Sequence, residues 1–175
     1  MEVMRWVNRT FEFSMAAGMF PVVVERLRGT PARMEEKLRG VAPGILTQRE
    51  GERWSIQEHA GHLLDLDELH RGRLDDYLAG AIVLRPADKS NRKTYDANHN
   101  ARPLKEILVS FRRERGEFVA HLECWKDEDI VRTALHPRLK QPMRVIDMAF
   151  FVAEHDDHHL ALMTERLRRI GVRLT

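Results

Sequence analysis

A chain of 175 residues, 43% hydrophobic and 32% charged, has the size and make-up of one domain with a real core. Its 29 Lys and Arg residues stand against 27 Asp and Glu, and the net charge of +2 is spread without a sustained basic block. That argues against a nucleic-acid binder, and a single cysteine, Cys124, excludes an intramolecular disulfide and suits a reducing cytoplasm.

The apolar run Phe13 to Val24, with Arg5 and Arg9 upstream, loosely echoes a signal peptide. Glu2 and Glu12 precede it, Pro21 interrupts it, and the pattern continues into Glu25, Arg26 and Leu27. The spacing instead predicts a first helix from about Val7 to Arg28, kinked near Gly18 and Pro21. Gly29 suits a stop, Thr30 an N-cap and Pro31 a first helical position, so a short second helix is expected over Pro31 to Arg39. No stretch reaches the roughly 20 apolar residues of a membrane span.

Ser55-Ile56-Gln57-Glu58 is a capping box, with Trp54 placed to pack just before it. The helix it opens should run to about Leu78, and its apolar positions include Ile56, Leu63, Leu66, Leu69, Leu74 and Tyr77. From Gly80 to Ala101 periodicity is lost in a long polar connection that could bring Tyr95 and His99 toward a site. Pro103 opens the next helix, through Phe111 and Phe118 to about Trp125. Cys124 at its end reads as a small buried residue. Lys126 to Pro142, holding His136-Pro137, is a second polar connection, and no alternating run long enough for a strand appears. The last helix spans about Met143 to Ile170 and stops at Gly171, with Arg166, Arg168 and Arg169 complementing its dipole. Four long amphipathic helices with unequal connections indicate an all-α, four-helix-bundle fold in a single domain over residues 1–175.

The last helix contains Glu154-His155-Asp156-Asp157-His158-His159. At about 100° per residue, His159 lies roughly 40° from His155. Val145, Met148, Phe151, Val152, Leu162, Met163 and Ile170 fall within about 80° on the same wheel. Two imidazoles on a buried face each need a donor and an acceptor, and a divalent metal satisfies both at once. Asp156, Asp157 and His158 fall toward the edges of that face. A third ligand must come from another helix, and the capping-box helix offers His59, His62 and His70. The wheel does not choose between His59 and His62.

Trp54-Ser55-Ile56-Gln57-Glu58-His59-Ala60-Gly61-His62-Leu63-Leu64-Asp65 and Glu154-His155-Asp156-Asp157-His158-His159-Leu160 together resemble the two motifs of the DinB/YfiT-like superfamily. Phe11-Glu12-Phe13, Leu27 with Thr30-Pro31, Phe111 with Arg115, and His136-Pro137 fit the same order, so the likeness runs from about residue 5 to 170. The resemblance implies a divalent metal held by His62, His155 and His159, and a homodimer; histidine nitrogen ligands suit zinc or nickel, and copper as well. It also implies either a thiol S-transferase using a low-molecular-weight thiol or a metal-dependent hydrolase acting on a small molecule, with a non-catalytic metal-binding protein as the third reading. The family name refers to DNA-damage induction and carries no implication of DNA binding.

Glu58 and Asp65 flank His62 at i−4 and i+3, where either could orient its ring or serve as a catalytic base. Glu58 is also employed by the capping box. Arg112, Arg113 and Arg115 could hold an anionic substrate, although such a cluster more often faces solvent.

Overall fold

The computed structural model describes residues 2–172. Four long helices carry the fold: α1 (Phe20–Leu38), α3 (Ile56–Leu78), α5 (Leu104–Glu123) and α6 (Val145–Arg169). Short helices α2 (Pro43–Thr47) and α4 (Arg92–Asp96) lie in the connections. α1 and α3 each pack against both α5 and α6, so α1 and α3 stand at opposite corners of the bundle.

Two hydrophobic clusters give the helix directions. One gathers Phe20, Val23, Val24 and Leu27 of α1, Leu74 and Tyr77 of α3, Phe118 to Leu122 of α5, and Val145 to Ala153 of α6. The other gathers Met34 and Leu38, Ile56 to Leu63, Ile107 and Phe111, and Leu160 to Leu167. The starts of α1 and α6 therefore share one end of the bundle with the finishes of α3 and α5. α1 runs parallel to its neighbour α6, and α3 parallel to its neighbour α5. Joining two parallel neighbours takes a connection as long as the bundle, which is why the stretch after Gly80 is so extended. It retraces α3 toward its start. Arg85 pairs with Asp76, Lys93 bonds the Asp65 carbonyl, and Gln57 donates to the carbonyls of His99 and Arg102.

Between the two clusters lies a belt of buried polar side chains: Thr30 on α1, His62, Asp67 and His70 on α3, Arg115 on α5, and His155, Asp156 and His159 on α6. Arg115 ties the belt together. Its guanidinium bonds both Asp67 (2.9 Å) and Asp156 (3.0 Å), and Asp156 also accepts from Thr30 (2.8 Å). Burial alone would lower the Arg115 pKa, yet the two carboxylates outweigh it and keep the guanidinium charged. Arg112 and Arg113 are exposed, as expected, so only Arg115 departs from the solvated cluster.

Several expected boundaries move. The capping box forms as expected: Glu58 N–H donates to the Ser55 hydroxyl (3.1 Å) and Ser55 N–H to the Glu58 carboxylate (2.8 Å). The stop at Gly29-Thr30-Pro31 does not, and α1 runs through all three residues. A helix-interior proline costs about 3 kcal/mol, but Leu27, Thr30, Pro31 and Met34 are all buried here, and burying a large apolar side chain returns about 1.5–3 kcal/mol. Tertiary packing overrides the local signal.

The helix expected from Val7 begins only at Phe20. Pro21 does not kink α1 but stands at its start, and the residues before it form two 3-10 turns, Trp6–Asn8 and Ala17–Met19, in an otherwise extended strap. Phe11, Phe13 and Met15 of that strap pack against the first cluster at every second residue, the period of an extended chain. The connection before α6 holds two short antiparallel strands, β1 (Thr133–Leu135) and β2 (Pro142–Arg144), too short for alternation to reveal. Cys124 is exposed rather than buried, because it caps α5 where the helix ends. Ile170, expected on the inner face, is 39% exposed at the end of α6.

Candidate metal centre

α3 and α6 cross at the belt and bring His62, His155 and His159 together. One ligand-capable atom from each lies within 4.8 Å of the others, and all three rings are buried. The Nε2 atoms of His155 and His159 face each other at 3.1 Å. Burial drives both of these imidazoles well below their usual pKa, and the other histidines nearby add to the effect. Burial likewise lowers His62 to about 4. All three rings are therefore neutral near pH 7, the state in which an imidazole nitrogen offers a lone pair to a metal.

The rings are held from behind. His62 Nδ1 lies 3.0 Å from the Thr94 hydroxyl, which leaves Nε2 for the cluster. His159 Nδ1 lies 2.9 Å from His59 Nδ1. Since His159 Nε2 already faces His155, a proton on His159 Nδ1 donated to His59 is the tautomer that frees its inner lone pair. His59 is thus the partner of a cluster histidine and not a member. The Nδ1 atom of His155 is buried without a hydrogen-bond partner among the described residues. His155 is instead bounded by the strap, with the Trp6 ring 4.9 Å away and edge-on. On the other side the Trp54 ring lies 4.7 Å from His62 and 6.2 Å from His159. Three neutral nitrogens converging on one point, two of their rings braced at the outer nitrogen, fit a divalent metal.

The flanking acids are engaged elsewhere. Glu58 accepts from Arg49 (2.8 Å) as well as Ser55, and although burial opposes it, these bonds hold its pKa below the usual carboxylate value. Asp65 lies 2.8 Å from His99 Nε2, so neither Glu58 nor Asp65 orients His62. Glu154 pairs with Arg9 and Arg26. Asp157 pairs with Arg26 and Arg33, and Asp156 with Arg115. Asp156, expected near the edge of the face, is fully buried, and His158 is buried beneath Trp6, their ring centroids 5.6 Å apart. His70 takes no part in the cluster and lies 3.5 Å from Asp67. Tyr95 is half exposed, at 5.9 Å from Trp54.

Thr94 and Trp6 were missed at the level of sequence. Thr94 sits in a connection with no periodicity to place it, and Trp6 reaches the site only because the strap is extended. A groove of about 710 Å³ between α1 and α6, lined by Arg33, Lys37, Asp157, Leu160 and Thr164 among others, includes none of the three histidines.

Among solved structures, the fold is similar to YfiT from Bacillus subtilis, described as a probable metal-dependent hydrolase with an unusual four-helix bundle topology. The TM-score is 0.79 at 20% identity, covering 94% of this chain and 95% of that one. A protein of Streptococcus pneumoniae is similar at a TM-score of 0.66 and 11% identity, covering 95% and 94%. At these identities the likeness speaks for the fold. A comparison with curated proteins finds no match. A family model described as the DinB superfamily matches residues 26–163, a span that takes in α3 and α5 whole, most of α1 and α6, and the three histidines, and the chain belongs to that superfamily.

Proposed function

We propose that the protein is a metal-dependent enzyme whose divalent ion, zinc or nickel, is held by His62, His155 and His159, and that it transfers a low-molecular-weight thiol to a small electrophile. The observation that carries the metal is the convergence of three buried, neutral imidazoles within 4.8 Å. A divalent ion with three neutral ligands keeps its charge and lowers the pKa of a thiol or water that takes its open position.

The engagement of the acids supports thiol chemistry over hydrolysis. A metal-bound thiol ionises more readily than metal-bound water, so hydrolysis leans more heavily on a nearby base. Glu58, Asp65 and Glu154 are bonded to Arg49, to His99, and to Arg9 and Arg26. Glu58 and Asp65 then position the site, Glu58 by closing the start of α3 and Asp65 by holding His99.

One feature favours hydrolysis as the second reading. His99 has Nε2 on Asp65 and Nδ1 buried without a partner, the pattern of an imidazole steered by a carboxylate. Elemental analysis after dialysis should find about one metal per chain in the wild type and a large loss in His62→Ala; equal metal in both would refute the site. Consumption of a thiol with an electrophile, with and without added metal, tests the transferase reading. Ester or amide cleavage in thiol-free buffer, abolished in His99→Gln, would favour the hydrolase instead. A homodimer, as in the resemblance, and a cytoplasmic location, in keeping with one unpaired cysteine, complete the proposal.

A further inference from the structure

One corner of the molecule gathers cationic and N–H groups, two of whose buried donor atoms have no acceptor among the described residues. His136 and Arg138 lie in the loop that joins β1 to β2, and Arg73 of α3 is near enough for its charge to act on the His136 ring and on Arg138. The His136 ring is 2% exposed, and its Nδ1 accepts the backbone N–H groups of Arg138 (3.3 Å) and Leu139 (3.1 Å). That fixes the tautomer, because the proton must sit on Nε2. Nε2 is buried and finds no acceptor. Arg138 lays its guanidinium over Phe151 (5.7 Å) and Trp6 (6.0 Å), and its Nη2 atom is likewise buried without a partner.

Arg73 is also 2% exposed, and its Nε donates to the Arg85 carbonyl. Neither Arg73 nor Arg138 makes an ion pair among the described residues. Asp76, whose charge reaches Arg73, is held by Arg85. Burial lowers the Arg73 pKa to about 10, which leaves it charged at neutral pH. A buried guanidinium, a partly buried one and a buried imidazole N–H with no counter-charge among the described residues are costly together, and an anion supplies it.

We propose that Arg73, His136 and Arg138 form an oxyanion subsite that takes the carboxylate or phosphate group of a small molecule. Arg138, only partly buried, marks the side from which the anion enters. The subsite adjoins the histidine cluster: Trp6, under Arg138, also borders His155, and Phe151, beside His136, precedes His155 by one turn, about 6 Å along α6. A molecule of modest length therefore spans both places. Only this last step, in which the anion belongs to the reacting thiol or electrophile, rests on the proposed function.

Titration calorimetry at constant ionic strength, with inorganic phosphate in one arm and succinate in the other, tests the subsite. Saturable binding of at least one anion is expected, about tenfold or more weaker in Arg138→Leu and in Arg73→Met, and unchanged in the exposed control Arg112→Leu. The stronger arm identifies the group as phosphate or carboxylate. His62→Ala should bind the anion as the wild type does, so a failure of the metal reading leaves this result standing. No saturable binding of either anion, or equal binding in Arg138→Leu, would overturn the proposal. Urea unfolding without anion separates a role in the fold from one in binding. Arg138→Leu should keep or raise the midpoint, since it removes an uncompensated charge, and a lowered midpoint would count the residue as structural and reject the subsite.

Discussion

Thr94 sets the direction of the His62 ring, although the two lie in elements that share no pattern. Replacing it with valine keeps the shape and removes the oxygen. Metal retention measured by chelator competition should weaken about tenfold, at the lower end for a lost partner of a metal-ligating histidine. Gly61 is constrained in a different way: a methyl group there would overlap the His99 ring. Gly61→Ala should displace His99 from Asp65 and cost about 1–3 kcal/mol in urea unfolding, as overpacking does. His155 and His159 were legible in the sequence because helical period places them on one face. His62 was legible only through the family motif. The wheel put His59 nearer the middle of its apolar stripe and His62 toward one border without choosing between them, and what separates them is the direction of each ring, set by Thr94 and by His159, which no spacing encodes.

At the level of elements, the helices declared themselves by period and caps, and the errors fall where a distant contact outweighs a local signal. Pro31 is the clearest example. Its stop signal is real, and α1 passes through it because Leu27, Thr30 and Met34 have partners on other helices. The strap held a readable clue in Phe11, Phe13 and Met15, spaced by two and not by three or four. Arg115 joins α5 to α3 and α6 through Asp67 and Asp156. Arg115→Met would leave two buried carboxylates unpaired, and equilibrium unfolding should show a loss of about 3–5 kcal/mol. Arg113→Met, on the exposed face of the same helix, should change stability by less than about 0.5 kcal/mol.

For the whole molecule, the buried histidines make stability depend on pH. Their folded-state pKa values are depressed: to about 3 for His59 and about 4 for His62, and well below the usual value for His155 and His159, with burial the largest cause in each. The unfolded chain, with histidine pKa near 6.5, takes up these protons first as pH falls. Their contribution is therefore complete above about pH 6.5 and is lost below it, at up to about 1.4 kcal/mol per pH unit for each ring. Urea unfolding of metal-free protein should show stability dropping by up to about 5 kcal/mol between pH 6 and 5 from these four rings together. The belt that carries these rings also interrupts the apolar packing, so the bundle has one hydrophobic half at each end. Without a metal the two halves should then open as separate cooperative units. An ion shared by His62 of α3 with His155 and His159 of α6 would act as a rivet across that seam. Amide hydrogen exchange should report two classes of protection in the metal-free chain and merge them into one when the metal is bound.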